Sequence, residues 1–279
     1  MLRSLALKIL VFFCIVQMTG CSARRLLISN SRFFFIRGID QYLDLDGTQE
    51  SELGRIYDKH VILWREGLIP EATKITDEAG VIFSGDPTPE ALKAFFGRVE
   101  GLRQKLVMEA LDDVGGFLAS IRPGQLDYLD EQLKESNKSQ LEELALDAEK
   151  YADVKRDGTR KMLERWFGDL GSEQDEILNI FVVDQNWASR NLTARIRFQE
   201  NLVKTMRVSM GSKASHKKWL GEFAVNQEAF YGDENINLLS DRRVRIIRSL
   251  IAFSKIANHS QKIYFKDSMR SLAADLKRI

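Results

Sequence analysis

Thr88-Pro89-Glu90-Ala91-Leu92-Lys93-Ala94-Phe95-Phe96-Gly97-Arg98-Val99-Glu100-Gly101-Leu102-Arg103-Gln104-Lys105-Leu106 decides the class of fold. Leu92, Phe95, Phe96, Val99, Leu102 and Leu106 recur at steps of three and four, the period of one helix face. Thr88 offers a cap, and Pro89 follows at the first helical position, where its fixed φ fits and its missing N–H costs nothing. We read the stripe as a buried face, with a ligand-binding aromatic groove as the sharper alternative. The same spacing joins Ile177, Ile180 and Phe181 to Leu192, Ile196, Leu202 and Met206, and no stretch sustains the alternation of a strand. The expected fold is therefore all-α, a multi-helix bundle of about nine or ten helices with helical hairpins. The periodicity places them at 26–43, 48–66, 70–83, 89–120, 123–152, 156–168, 172–210, 216–231, 235–257 and 260–277. The four prolines stand at 70, 87, 89 and 123, so the second half is free to run long helices.

Ahead of this body, an apolar run from Leu2 to Val16 begins with Arg3 and Lys8 and closes on Met18-Thr19-Gly20-Cys21. A basic start, a short apolar centre and small residues at the end are the layout of a cleaved secretory signal. With cysteine at the cut, the segment resembles the signal of bacterial lipoproteins, Met18, Thr19 and Gly20 forming the lipobox. That resemblance implies that Cys21 takes a diacylglycerol, that cleavage precedes it, and that the new amino terminus takes a further acyl chain such as palmitate. Several acyl chains hold a protein stably on a bilayer where one does not. Ser22, in place of the Asp that retains such proteins in an inner membrane, resembles the default passed to the outer membrane. The expected organisation is 1–20 signal peptide, 21–25 lipidated Cys21 with a short tether, and 26–279 a single helical body facing the periplasm. Cys14 leaves with the signal and Cys21 is consumed, which excludes disulfides, thiolate metal sites and cysteine nucleophiles.

The mature chain carries 39 basic and 40 acidic side chains, so net charge points to no partner. Its distribution is uneven. Residues 41–150 hold 23 acidic against 12 basic residues, and 201–279 hold 7 against 15. Arg242-Arg243-Val244-Arg245 with Arg248 lacks a recognition motif for nucleic acid, and we expect a solvated face, pairing with the acidic half, or contact with lipid phosphate, and no nucleic acid. The stretch Leu26-Leu27-Ile28 and Phe33-Phe34-Phe35-Ile36 is apolar nearly all round. We read it as a core helix, because Asn30 and Asp40 suit a packed helix with a polar end; the alternative is an interfacial helix with Arg24, Arg25, Arg32 and Arg37 at anionic headgroups.

Four helix starts share a pattern that ends in glutamine: Leu45-Asp46-Gly47-Thr48-Gln49, Ile121-Arg122-Pro123-Gly124-Gln125, Leu170-Gly171-Ser172-Glu173-Gln174 and, more loosely, Ala257-Asn258-His259-Ser260-Gln261. A capping box explains it locally: the cap side chain accepts from the third helical N–H, and a Gln at that third position reaches back to the cap N–H. Asp46 with Gln49 and Asn258 with Gln261 fit; Arg122 and Gly171 offer no side-chain acceptor, which leaves Gln125 and Gln174 in degenerate copies.

In this order, the lipobox, Asp40-Gln41-Tyr42-Leu43-Asp44-Leu45-Asp46 leading to Gln49, His60 and Arg65 ahead of Leu68 and Pro70, Thr88-Pro89, Asn137, Trp166-Phe167-Gly168, Trp219 and the closing Leu272-Ala273-Ala274-Asp275-Leu276 resemble a family of bacterial lipoproteins grouped as domain of unknown function number 6279. Leu43, where the family often has Phe, and Ser29-Asn30-Ser31 depart from its pattern. The resemblance implies an exported helical lipoprotein with no established activity. The glutamine starts also resemble the LTxxQ motifs of small periplasmic stress chaperones, which makes a holdase one alternative function.

No catalytic motif accompanies these features. Aligned as a calcium loop, Asp44-Leu45-Asp46-Gly47 would put Tyr42 and Leu53 at ligand positions, and both fail. His60, His216 and His259 have no short ligand spacing, and Asp112 and Asp113 fall on neighbouring helix faces. No metal and no cofactor is expected. The expected function is that of a non-enzymatic envelope interaction protein on the outer membrane, binding an envelope protein or lipid; an enzyme assembled from scattered residues is a further alternative.

Overall fold

The computed structural model describes residues 30–182, 184–226, 228–231 and 233–278; Met18, Thr19, Gly20, Cys21 and the expected helical turn from Leu26 lie outside them. Among the described residues the chain is all-helical with no strand. The helices are α1 Ser31–Leu43, α2 Gly47–Glu66, α3 Leu68–Ser84, α4 Pro89–Ala119, α5 Pro123–Leu144, α6 Ala148–Phe167, α7 Asp175–Phe181, α8 Gln185–Val208, α9 Lys213–Val225, α10 Asp233–Ile256 and α11 His259–Leu276. Short 3₁₀ turns at Ser172–Gln174 and Glu228–Tyr231 complete them.

Among the described residues eleven helices stand where nine or ten are expected; one aspartate adds a helix and another moves a boundary. The boundary expected between 152 and 156 falls earlier, because the Asp147 side chain accepts from the Lys150 N–H at 2.9 Å and starts α6 at Ala148. The stretch 172–210 breaks because Asp184 caps α8 through the Trp187 N–H at 2.8 Å. A cap without a proline beside it is a weak signal inside a strongly periodic run. Similarly, α3 begins two residues before Pro70, which sits in the first turn where no intrahelical N–H is needed.

Two main cores form at opposite ends of α4, whose 31 residues span about 46 Å. The first gathers Tyr42 and Leu43 of α1, Leu53, Phe117, Leu126, Leu129 and Leu133 with Leu202, Met206 and Trp219 of α8 and α9. The second gathers Phe83, Leu92, Leu163, Phe167, Leu178 and Phe253 with Phe265 and Met269 of α11. There Phe265 stacks on Phe167 at 4.7 Å and meets Phe83 edge-on at 5.3 Å. Of the expected stripe of α4, Leu92, Phe95 and Phe96 join the second core, and Phe117, farther along the same helix, joins the first. A smaller cluster of Phe198, Phe223 and Tyr231 extends the first. Close crossing of α9 over α4 depends on Gly115, where a Cβ would lie 2.7 Å from Lys217 Cγ and 3.3 Å from the Lys213 carbonyl.

The uneven charge is partly spent in pairs between the two halves: Lys213 and Lys217 hold Asp112, Arg207 holds Asp127, and Lys262 holds Asp86. Such exposed pairs orient surfaces more than they stabilise them. In its described part the first helix is only partly core. Phe35, Ile36 and Ile39 pack on the first core beside Tyr42 and Leu43, whereas Phe33 is open to solvent.

Candidate functional site

The four glutamine-ended helix starts come together in pairs, each inside one core. In the first clasp Gln49 and Gln125, 76 residues apart, exchange amide hydrogen bonds: Gln49 Nε2 donates to Gln125 Oε1 at 3.1 Å, and Gln125 Nε2 donates back at 2.8 Å. Gln174 and Gln261, 87 residues apart, do the same at 2.8 and 2.9 Å in the second. All four side chains are buried.

Each amide is saturated by the same plan. Its Oε1 accepts from the N–H of its own helix cap as well as from the partner: Asp46 at 3.2 Å, Arg122 at 3.1 Å, Gly171 at 2.9 Å and Asn258 at 3.0 Å. Because a backbone N–H can only donate, this contact fixes which end of the amide is oxygen. The second Nε2 hydrogen reaches a carbonyl where the chain leaves the preceding helix. Gln49 donates to Ser120, Gln125 to Leu43 and Asp44, Gln174 to Ile256 at 3.5 Å, and Gln261 to Asp169. Arg122 and Gly171 lack the accepting cap side chain, as expected, yet both keep the glutamine half of the box.

The acidic turn before the first clasp is structural in each of its members. Asp40 Oδ1 accepts from the Leu45 N–H at 2.9 Å, and Asp44 ends α1 in the left-handed region at φ 45°, the only described non-glycine with positive φ. Asp46 Oδ1 accepts from Thr48 and Gln49, and Oδ2 takes the Arg122 guanidinium at 2.6 Å. The Gln49 backbone bond, followed by Arg122, holds the Asp46 carboxyl below its ordinary range.

Other buried polar groups are also engaged between helices. Asn137 donates to Gln199 at 2.8 Å across α5 and α8, and Arg195 donates to Asn137, to Gln140 and to the Ser136 carbonyl. Burial lowers the Arg195 pKa. His60 meets a carboxylate that no sequence spacing pointed to: its Nε2 lies 2.8 Å from Asp113 Oδ2, which also accepts from Lys59 at 2.6 Å. The Lys59 bond is the largest influence holding the Asp113 carboxyl low. Asp112 turns the other way to Lys213 and Lys217, whose bonds bring it to about 2. The two acids thus serve α2 and α9 separately. His216 is buried on α9 with no partner for Nε2 among the described residues, and burial pushes its pKa down. His60 is likewise buried. Among the described residues no three His, Asp or Glu side chains converge as a metal site. None of the described helices is long and apolar enough to cross a membrane.

Two open depressions lie on the surface. One, about 690 Å³, runs between α4 and α9 past Met108, Gly221, Val225 and Phe230, with Lys217 and Lys218 at its rim. The other, about 440 Å³, is floored by Ile177, Ile251 and Ile256 between Arg248 and Lys255.

Fold and site define an all-helical protein whose two cores are each closed by a pair of capping glutamines. Residues 41–213, from the last turn of α1 to the start of α9, match a family of unknown function, DUF6279, and the chain belongs to it. No curated protein and no solved structure matches the chain.

Proposed function

We propose that this protein is a lipoprotein anchored to the outer membrane through Cys21, with a helical body that faces the periplasm and binds another envelope component without catalysing a reaction. The observation that carries the binding role is the groove between α4 and α9. Val225 is 68% exposed there beside half-exposed Met108, an adaptable side chain, and Lys218 at the rim has no acidic partner among the described residues. An apolar floor edged by Lys218 and Glu222, with Lys217 held by Asp112, suits an amphipathic segment. The glutamines that invite comparison with stress chaperones are buried in their clasps, so they offer no surface to an unfolded client.

A photo-crosslinking residue at Val225, in intact envelopes, should give a discrete adduct that Met108→Glu removes. The same residue at Leu141, on exposed α5 surface, serves as the control. Equal labelling at both positions, or none at Val225, defeats the groove as the binding surface. Metabolic labelling with a palmitate analogue tests the anchor separately: Cys21→Ala should abolish it.

A further inference from the structure

We propose that the amino-terminal end of the α1–α2 hairpin lies on the membrane, with Phe33, Phe34 and Ile62 in the lipid interface; the inference rests on the lipid anchor at Cys21. The two helices run antiparallel. Tyr57 Oη donates to Ser31 Oγ at 2.6 Å, Arg32 Nε stands 3.2 Å from Asp58 Oδ1, and the Arg32 guanidinium covers Gly54. This pairing places Phe33, next to Arg32, and Ile62, one turn beyond Asp58, at the same end of the hairpin. They are 62% and 59% exposed, although the other face of α1 already supplies Phe35, Ile36 and Ile39 to the core. Phe33 packs edge-on against half-buried Phe34 at 5.4 Å.

Chain length decides the occupant. Asn30 follows Cys21 by nine residues, which reach at most about 30 Å when fully extended. A lipidated Cys21 therefore keeps this end within a short distance of the bilayer. Arg24 and Arg25 fall within the same nine residues. Arg55, two turns from Ile62 on the same face of α2, has no acidic partner among the described residues, whereas Arg32 and Arg37 pair with Asp58 and Asp40. Aromatic and apolar side chains flanked by cations suit the headgroup region of an anionic bilayer.

The lipidated full chain has no free thiol of its own, so Phe33→Cys accepts a single nitroxide label. In vesicles of phosphatidylethanolamine and phosphatidylglycerol, that label should be more accessible to oxygen than to an aqueous nickel chelate. A label at Val208→Cys should show the reverse. Val208 is 82% exposed and follows Arg207, which pairs with Asp127 near the glutamine clasp at the far end of α1. Equal chelate access at both positions overturns the docking face, as does dipolar broadening at Phe33, which would mean that a second copy covers it. Mass spectrometry of the same sample separates the two readings: a chain without its lipid mass overturns the anchor, whereas a lipidated chain with Phe33 in water overturns only the docking.

Discussion

The two glutamine clasps share one hydrogen-bonding plan but differ in what surrounds it. In the first, Asp46 caps its helix and reaches across to Arg122, so charge joins the two helix starts. In the second the cap positions hold Gly171 and Asn258, and no charged side chain joins them. The left-handed exit is Asp44 in the first and Gly168, at φ 76°, ahead of the second. The buried amide pair is thus common to both, and the charged rim is an addition to one. Closure of each core is expected to depend on the amides, and response to acid on the rim.

The largest effect should follow loss of an amide. Gln125→Ala and Gln261→Ala each leave buried cap and carbonyl groups without partners, and each should cost about 3 kcal/mol in urea unfolding. Within a clasp, Gln49→Ala combined with Gln125→Ala should cost less than the sum, because both remove the same pair; across clasps, Gln125→Ala with Gln261→Ala should add. Additivity within a clasp would mean that the two glutamines act only as separate caps.

At the cap side chains the comparison becomes sharper. Asn258→Ala should cost about 1 kcal/mol at any pH between 3 and 7, because its cap is neutral. Asp46→Ala should also destabilise at neutral pH, with Asp46→Asn keeping most of the cap. The Asp46 carboxyl is lowered in the folded protein, so its contribution is present above the ordinary carboxylate pKa and is lost as pH falls through the folded value. The gap between wild type and Asp46→Ala should therefore narrow as the pH falls below the ordinary carboxylate range, while that for Asn258→Ala persists.

Acid sensitivity near neutrality belongs to a different group. His216, on an α9 that packs into the first core, has a folded pKa below its ordinary value of 6.5. The unfolded chain then binds the extra proton first, so stability falls as pH drops below about 6.5. His216→Gln should flatten that slope without altering the Asp46 behaviour. The smallest effect is a gain. Gly171→Ser, which installs the side-chain cap the second clasp lacks, should raise stability by a few tenths of a kcal/mol. The three atoms nearest an added Cβ all belong to the Glu173 carboxylate, a flexible chain end that can turn away.

Much of this framework was legible before any coordinates. The period of Leu92, Phe95 and Phe96 identifies the helix class, and the four glutamine starts emerge from capping chemistry alone. The Asp147 and Asp184 caps carry little sequence signal, because apolar periodicity runs through both helix starts. The contact between His60 and Asp113, 53 residues apart, has no sequence signal, since it depends on how α2 lies against α4. The apolar pattern groups Phe33 with its neighbours in the core; only the packed hairpin shows that Phe35 turns inward and Phe33 does not.

By itself the sequence determined where helices start, because a cap satisfies N–H groups within three or four residues of itself, and such contacts need nothing beyond the local chain. It also determined that the two cysteines stand at 14 and 21, ahead of the whole described body. Only the tertiary structure decided that the glutamine starts are joined two by two. A capping glutamine uses one acceptor site locally and leaves both of its amide hydrogens unassigned; buried hydrogens must find acceptors, and those acceptors exist only once helix starts 76 and 87 residues apart have been packed face to face.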